Sequence, residues 1–169
     1  MKGLVFYTAL LAATFSFAQS RAAQEAFAPF TGKWQGVFKV FSYEGRLLDH
    51  ITVEQHYWWE SGEQHAAFIE RGRDGTVLHA HARNYERDGK LYCEVRKDNG
   101  RQSLHHGHFE EGTLFWYRRT GEGNILESFK ERVVQTPSGR EYQIDGFGVY
   151  GSGGHTSYLL FEGRYFERK

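Results

Sequence analysis

The chain has 169 residues with 21 basic and 21 acidic side chains, so its formal net charge is zero. That balance offers nothing to draw in nucleic-acid phosphates or an anionic membrane surface, and neither partner is expected. The one cysteine, Cys93, excludes an internal disulfide and leaves the fold to stand on packing.

At the N-terminus, Lys2 precedes an apolar run from Leu4 to Phe15. Ser16-Phe17-Ala18 then supplies the small-x-small pattern that a signal peptidase reads. Residues 1–18 are expected to be an export signal cleaved after Ala18, because the run is shorter than the roughly 20 residues a membrane span takes. The protein is accordingly expected in the periplasm or outside the cell, with no membrane insertion once the signal is removed. Residues 19–29 form a leader rich in Ala and Gln, with one or two helical turns. Residues 30–169 have the length of one ordinary domain with its own core.

After Pro29 the pattern alternates with period two to the end of the chain. Strand-like runs lie near 34–43, 46–59, 64–72, 76–86, 90–97, 101–110, 113–119, 125–136, 140–150 and 155–167. Between them stand regular turn signals such as Ser61-Gly62, Asp74-Gly75, Asp88-Gly89, Asn99-Gly100 and Glu111-Gly112, residues that tolerate positive φ in tight hairpins. Short connections throughout predict an all-β, up-and-down antiparallel barrel of about ten strands. Closure would remove the two edges that so long a sheet otherwise exposes. Leu91, Cys93 and Val95 share one strand face, which reads as a buried thiol. With 14 Phe, 10 Tyr and 4 Trp, many strands carry large residues on both faces. An outer aromatic skin, or self-association into a homo-oligomer, would account for that.

The opening of the first strand reads Phe30-Thr31-Gly32-Lys33-Trp34-Gln35-Gly36-Val37-Phe38. Gly-x-Trp ahead of strand one resembles the opening of lipocalins and their calycin relatives, including bacterial lipocalin-like proteins of unknown function. The ten-stranded nitrobindin barrels share the likeness and the strand count, although here Phe38 to Tyr43 is bulky and lacks their Tyr-Pro pair. The resemblance implies that Trp34 plugs the closed end beneath a basic side chain from a late strand. It also implies, through nitrobindin-like barrels, that a haem axial ligand would come from the C-terminal part, where His155 stands. From the residues themselves, Trp34 and Gly36 share one face, as a tapering barrel end requires.

Histidine is the other signal. His79 and His81 share a face of one strand, and His106 and His108 share a face of another, which is how sheets present paired zinc ligands. The strand between them separates the pairs by about 10 Å, so the expectation is no resident zinc or haem. Glu127 and Glu131 fall in one row with Ile125, Phe129 and Val133. Burial would raise their pKa values and suit them to acid–base work, whereas Lys130 and Arg132 opposite read as an ordinary charged edge. No nucleophile elbow, phosphate loop or dinucleotide fingerprint appears, and no catalytic residue is assigned. The reading is an exported barrel that holds a small, partly apolar molecule in a pocket lined by Tyr57, Trp59, Phe68 and Tyr85. Two other readings stand beside it: a metal or haem protein using the histidines, and an envelope or assembly protein that meets another chain through its aromatic outer face.

Overall fold

The computed structural model describes residues 20–120, 126–152 and 154–169. The expected export signal, the leader residue Gln19 and Ile125 of the acidic row lie outside these residues. Ser20 starts the first element, its hydroxyl accepting the backbone N–H of Ala23 at 3.0 Å to cap α1 (Arg21–Phe27). Pro29, which has no N–H to extend a helix, sits in the 3₁₀ turn Ala28–Phe30 that follows.

The chain then runs as β1 (Gly32–Ser42), β2 (Leu47–Glu60), β3 (Glu63–Arg71), β4 (Val77–Arg87), β5 (Lys90–Lys97), β6 (Gln102–Glu110), β7 (Thr113–Arg119), β8 (Leu126–Thr136), β9 (Gly139–Ser152) and β10 (His155–Arg168). Every predicted strand is present, with its bounds within two residues of those expected. Each strand pairs antiparallel with its sequence neighbours, and β1 pairs with β10 to close an up-and-down barrel. Closure leaves no strand edge free.

Two turn designs separate the two ends. The β2–β3, β4–β5 and β6–β7 connections are the pairs Ser61-Gly62, Asp88-Gly89 and Glu111-Gly112, all at positive φ. Two such residues make the tight turn whose twist matches the strands it joins. At the other end, the N–H groups of Gly45, Gly75 and Gly100 bond back to the carbonyls of Ser42, Gly72 and Lys97. This wider turn repeats three times.

The tight-turn end is sealed. Phe27 is fully buried there, its ring 6.2 Å from that of Trp116 and 6.4 Å from that of Trp59. Gln64 ties the helix down by donating to the Phe27 carbonyl at 2.6 Å and to Thr31 Oγ1 at 3.2 Å. Trp34 is 1% exposed and donates its indole N–H to the Phe30 carbonyl at 2.7 Å. The guanidinium of Arg140, on β9, lies 4.9 Å over the Trp34 ring and donates to the carbonyls of Pro29 and Thr31, each at 3.1 Å. Arg140 is thus the basic group from a late strand that the opening motif implied. Gly36 faces Tyr165 across the β1–β10 pairing, where a Cβ would collide with the backbone of Arg164 and Tyr165.

Aromatic residues occupy both walls. Inside, Gly107, Gly146 and Gly163 lie against the rings of Trp116, Phe129 and Tyr165, so a residue without a side chain makes room for each large one. Outside, Tyr85, Tyr92, His106 and Tyr117 stand directly opposite one another on β4 to β7, ring against ring at 5.1–5.6 Å. Tyr43, Phe147, Tyr158 and Leu160 add exposed apolar surface toward the wide-turn end.

Candidate binding site

Between the sealed end and the wide-turn end the barrel encloses a cavity of about 270 Å³. The inward rows of the strands make its wall. Phe38, Ile51, Val53, Phe68, Val95 and Phe129 supply apolar surface, while Tyr57, Trp116, Tyr142 and Tyr165 lie toward the sealed end. Four polar groups interrupt this lining and give it chemistry: Glu131, Asn84, Gln55 and a charged group around Lys97 and His105.

Glu131 comes from the middle of β8. Its Oε2 accepts the Tyr142 hydroxyl at 2.8 Å, Trp116 hydrogen-bonds to the same carboxyl, and Tyr142 is bonded in turn to Tyr57. Burial drives its pKa up to about 7, and the two hydrogen bonds only partly offset that rise. The surface that Glu131 keeps faces the cavity.

Asn84, on β4, is oriented by a chain of bonds that leaves no choice of amide flip. The Phe27 carbonyl can only accept, so Gln64 turns its nitrogen to it and its Oε1 away. Asn84 Nδ2 donates to that oxygen at 3.0 Å. Asn84 Oδ1 is thereby left as a buried acceptor with no partner among the described residues, in a side chain that lines the cavity. Gln55 Oε1, on β2, is in the same condition, and both residues are 7% exposed. A buried oxygen without a donor costs about 1–3 kcal/mol, which a water or a ligand donor in the cavity would recover.

The charges lie toward the wide-turn end. Lys97 Nζ meets Glu70 Oε2 at 2.6 Å. His105 Nε2 lies 3.2 Å from Glu127 Oε2, which Arg118 Nε also approaches at 2.8 Å, while the Tyr150 hydroxyl donates to Glu127 Oε1 at 2.6 Å. Burial alone would raise the Glu127 pKa, but the bonds from His105, Arg118 and Tyr150 outweigh it and hold the carboxyl at about 2. Cys93 lines the cavity beside these groups, and burial pushes its thiol well above the ordinary range, toward an unreactive state.

Of the four residues read as pocket lining, Tyr57 and Phe68 face the cavity. Trp59 packs instead against Phe27 at the seal. Tyr85 points outward, between the guanidinium groups of Arg83 and Arg87 at 4.7 and 5.5 Å, because its neighbour Asn84 takes the inward position. His79 and His81 flank inward Ala80 and lie exposed on the outer wall. His106 stacks on Tyr117 and His108 on Phe115, also outside. His155 is exposed at the start of β10. Among the described residues, no three His, Cys, Asp or Glu side chains gather in a metal-binding group. The charged-edge reading of β8 is corrected: Glu127 and Glu131 both turn inward, and it is Lys130 and Arg132 that face solvent.

Sequence reasoning passed over Asn84, Gln55 and His105. The signal for the first two was present as a polar residue within an otherwise apolar inward row, Ala80-Ala82-Asn84 and Ile51-Val53-Gln55. His105 had no such mark, because both faces of β6 carry histidine.

Compared by sequence, the chain matches no protein-family model and no curated protein. Compared by structure, it is similar to the S-type phycobiliprotein lyase CPES from Guillardia theta, with a TM-score of 0.63 and 8% identity over 88% of this chain and 93% of the other. It is also similar to Rv2717c from M. tuberculosis, with a TM-score of 0.53 and 12% identity over 87% of this chain and 98% of the other. At such identities the likeness is one of fold, and the fold is a calycin-like, lipocalin-like barrel.

Proposed function

We propose that the protein is exported and holds a small, partly apolar molecule inside its barrel. The observation that carries this reading is a cavity walled by aromatic and aliphatic side chains in which two buried acceptors lack donors. An apolar wall with a few placed polar groups is the usual make-up of a small-molecule site. Likeness of fold to a protein named as a phycobiliprotein lyase agrees with an interior ligand and does not identify it. Export rests on Lys2, the apolar run and Ser16-Phe17-Ala18 alone, and predicts a mature protein that begins at Gln19 or a few residues later.

The test is binding of a neutral environment-sensitive dye, N-phenyl-1-naphthylamine, to purified protein, repeated with Ala80→Phe. Ala80 is 2% exposed and lines the cavity, so the larger ring takes up ligand space. The dye should bind the wild type and bind the variant at least about tenfold more weakly, a loss of about 1.4 kcal/mol. Equal binding by two folded proteins would place the dye on the outer wall and count against an interior site.

A further inference from the structure

Taking the cavity as the binding site, we propose that its ligand presents a nitrogen-borne donor to the interior, as a protonated amine on an aromatic or aliphatic body, with Glu131 as counter-charge and Asn84 as a further acceptor. The inference rests on the interior-binding reading and adds a chemical class to it.

The argument is a census of what the lining gives and lacks. Asn84 Oδ1 is an acceptor without a donor and cannot be exchanged for its nitrogen, since Gln64 already claims the amide, while the unpartnered Gln55 amide can turn either end to a ligand. Glu131 accepts from Tyr142 and Trp116, and a carboxylate has about four acceptor positions, so capacity remains. The lining thus has acceptors to spare.

Among the described residues, no positive charge competes for Glu131. The ionisable groups coupled to it include Tyr57 on β2, Cys93 on β5, Tyr142 on β9 and Tyr165 on β10, all neutral when protonated. The two basic side chains of the lining are both committed, Lys97 to Glu70 at 2.6 Å and His105 to Glu127 at 3.2 Å. A ligand carboxylate at this depth would meet Glu131 with no cation to offset it, whereas an ammonium group would meet an acceptor of opposite charge. Binding a cation favours the ionised carboxyl, so the proton that Glu131 carries near neutral pH leaves to solvent as the ligand enters.

Three probes of one shape separate this inference from the reading beneath it: naphthylethylamine, naphthylethanol and naphthylacetate, titrated calorimetrically into the full chain. The amine should bind at least about tenfold more tightly than the alcohol, and the acetate most weakly. Amine affinity should rise from about pH 6 to about pH 8 as Glu131 ionises, while alcohol affinity changes little. Glu131→Gln should reduce the amine's advantage to below about threefold and abolish the pH slope. Should that variant fail to fold by near-ultraviolet circular dichroism, the wild-type ranking and its pH slope still decide. Comparable affinity for all three probes would overturn the amine assignment and leave interior binding intact. Binding by none of the three would remove the interior-binding reading as well.

Discussion

Glu127 and Glu131 occupy the same inward row of β8, yet their surroundings pull them in opposite directions, to about 2 and about 7. Arg118, His105 and Tyr150 converge on the first, while the second has only neutral donors. Glu131 binds its proton more tightly folded than unfolded. Its contribution is therefore complete below about pH 4.5 and is lost as pH rises to about 7, on the order of 3 kcal/mol. Glu127 has the opposite sign: its contribution is complete above about pH 4.5 and is lost as pH falls toward 2. Denaturant melts across pH should show stability falling between about pH 4.5 and 7, and Glu131→Gln should flatten that fall without touching the acid limb. An unchanged slope in the variant would mean that Glu131 is not the titrating group. Trp34 is the second residue on which much depends, because its ring, its N–H and the Arg140 cation all meet at the seal. Trp34→Ala should cost about 3–5 kcal/mol in a denaturant melt. A loss below about 1 kcal/mol would be that of a surface residue.

Paired elements show how the barrel fits so many rings inside. β6 supplies Gly107 directly opposite Trp116 on β7, and the indole lies over the space a side chain would need. Gly107→Ala should force the ring to shift at a cost of about 1–3 kcal/mol, with a changed near-ultraviolet signal from Trp116. If stability and spectrum were both unaltered, the glycine would not be holding that space. The outer rows of β4 and β6 behave differently. His79 and His81 are exposed, and His106 and His108 stack on rings of the neighbouring strand. His79→Gln combined with His81→Gln should move the melting temperature by no more than about 2 °C, the size expected of surface changes. Loss of one equivalent of tightly held metal in that double variant would instead restore a histidine metal centre.

For the molecule as a whole, the two turn types and the helix make the ends unlike. Three tight turns and α1 with Phe27 close one end, and three wider turns border the other, where the charged pairs lie. The donors run out in the cavity between them, at Asn84 and Gln55. Unsatisfied acceptors inside a closed sheet are what the proposed interior site calls for, since filling those positions with apolar residues would be cheaper for stability alone.

The amino-acid sequence by itself determined the strands, the turns and the closure. Period-two alternation, Ser61-Gly62, Asp88-Gly89 and their counterparts are local signals, and ten hairpin-linked strands have few ways to bury their edges. Gly32-x-Trp34-x-Gly36 likewise marked the sealed end. Only the tertiary structure decided which face of each strand looks inward. Where both faces carry large or polar residues, a shift of one position exchanges them, as with Asn84 against Tyr85 and His105 against His106. It alone also decided the chemistry of Glu131. Its proton affinity is raised by burial that no single strand can supply, and only partly offset by Tyr142 and Trp116, which arrive from β9 and β7.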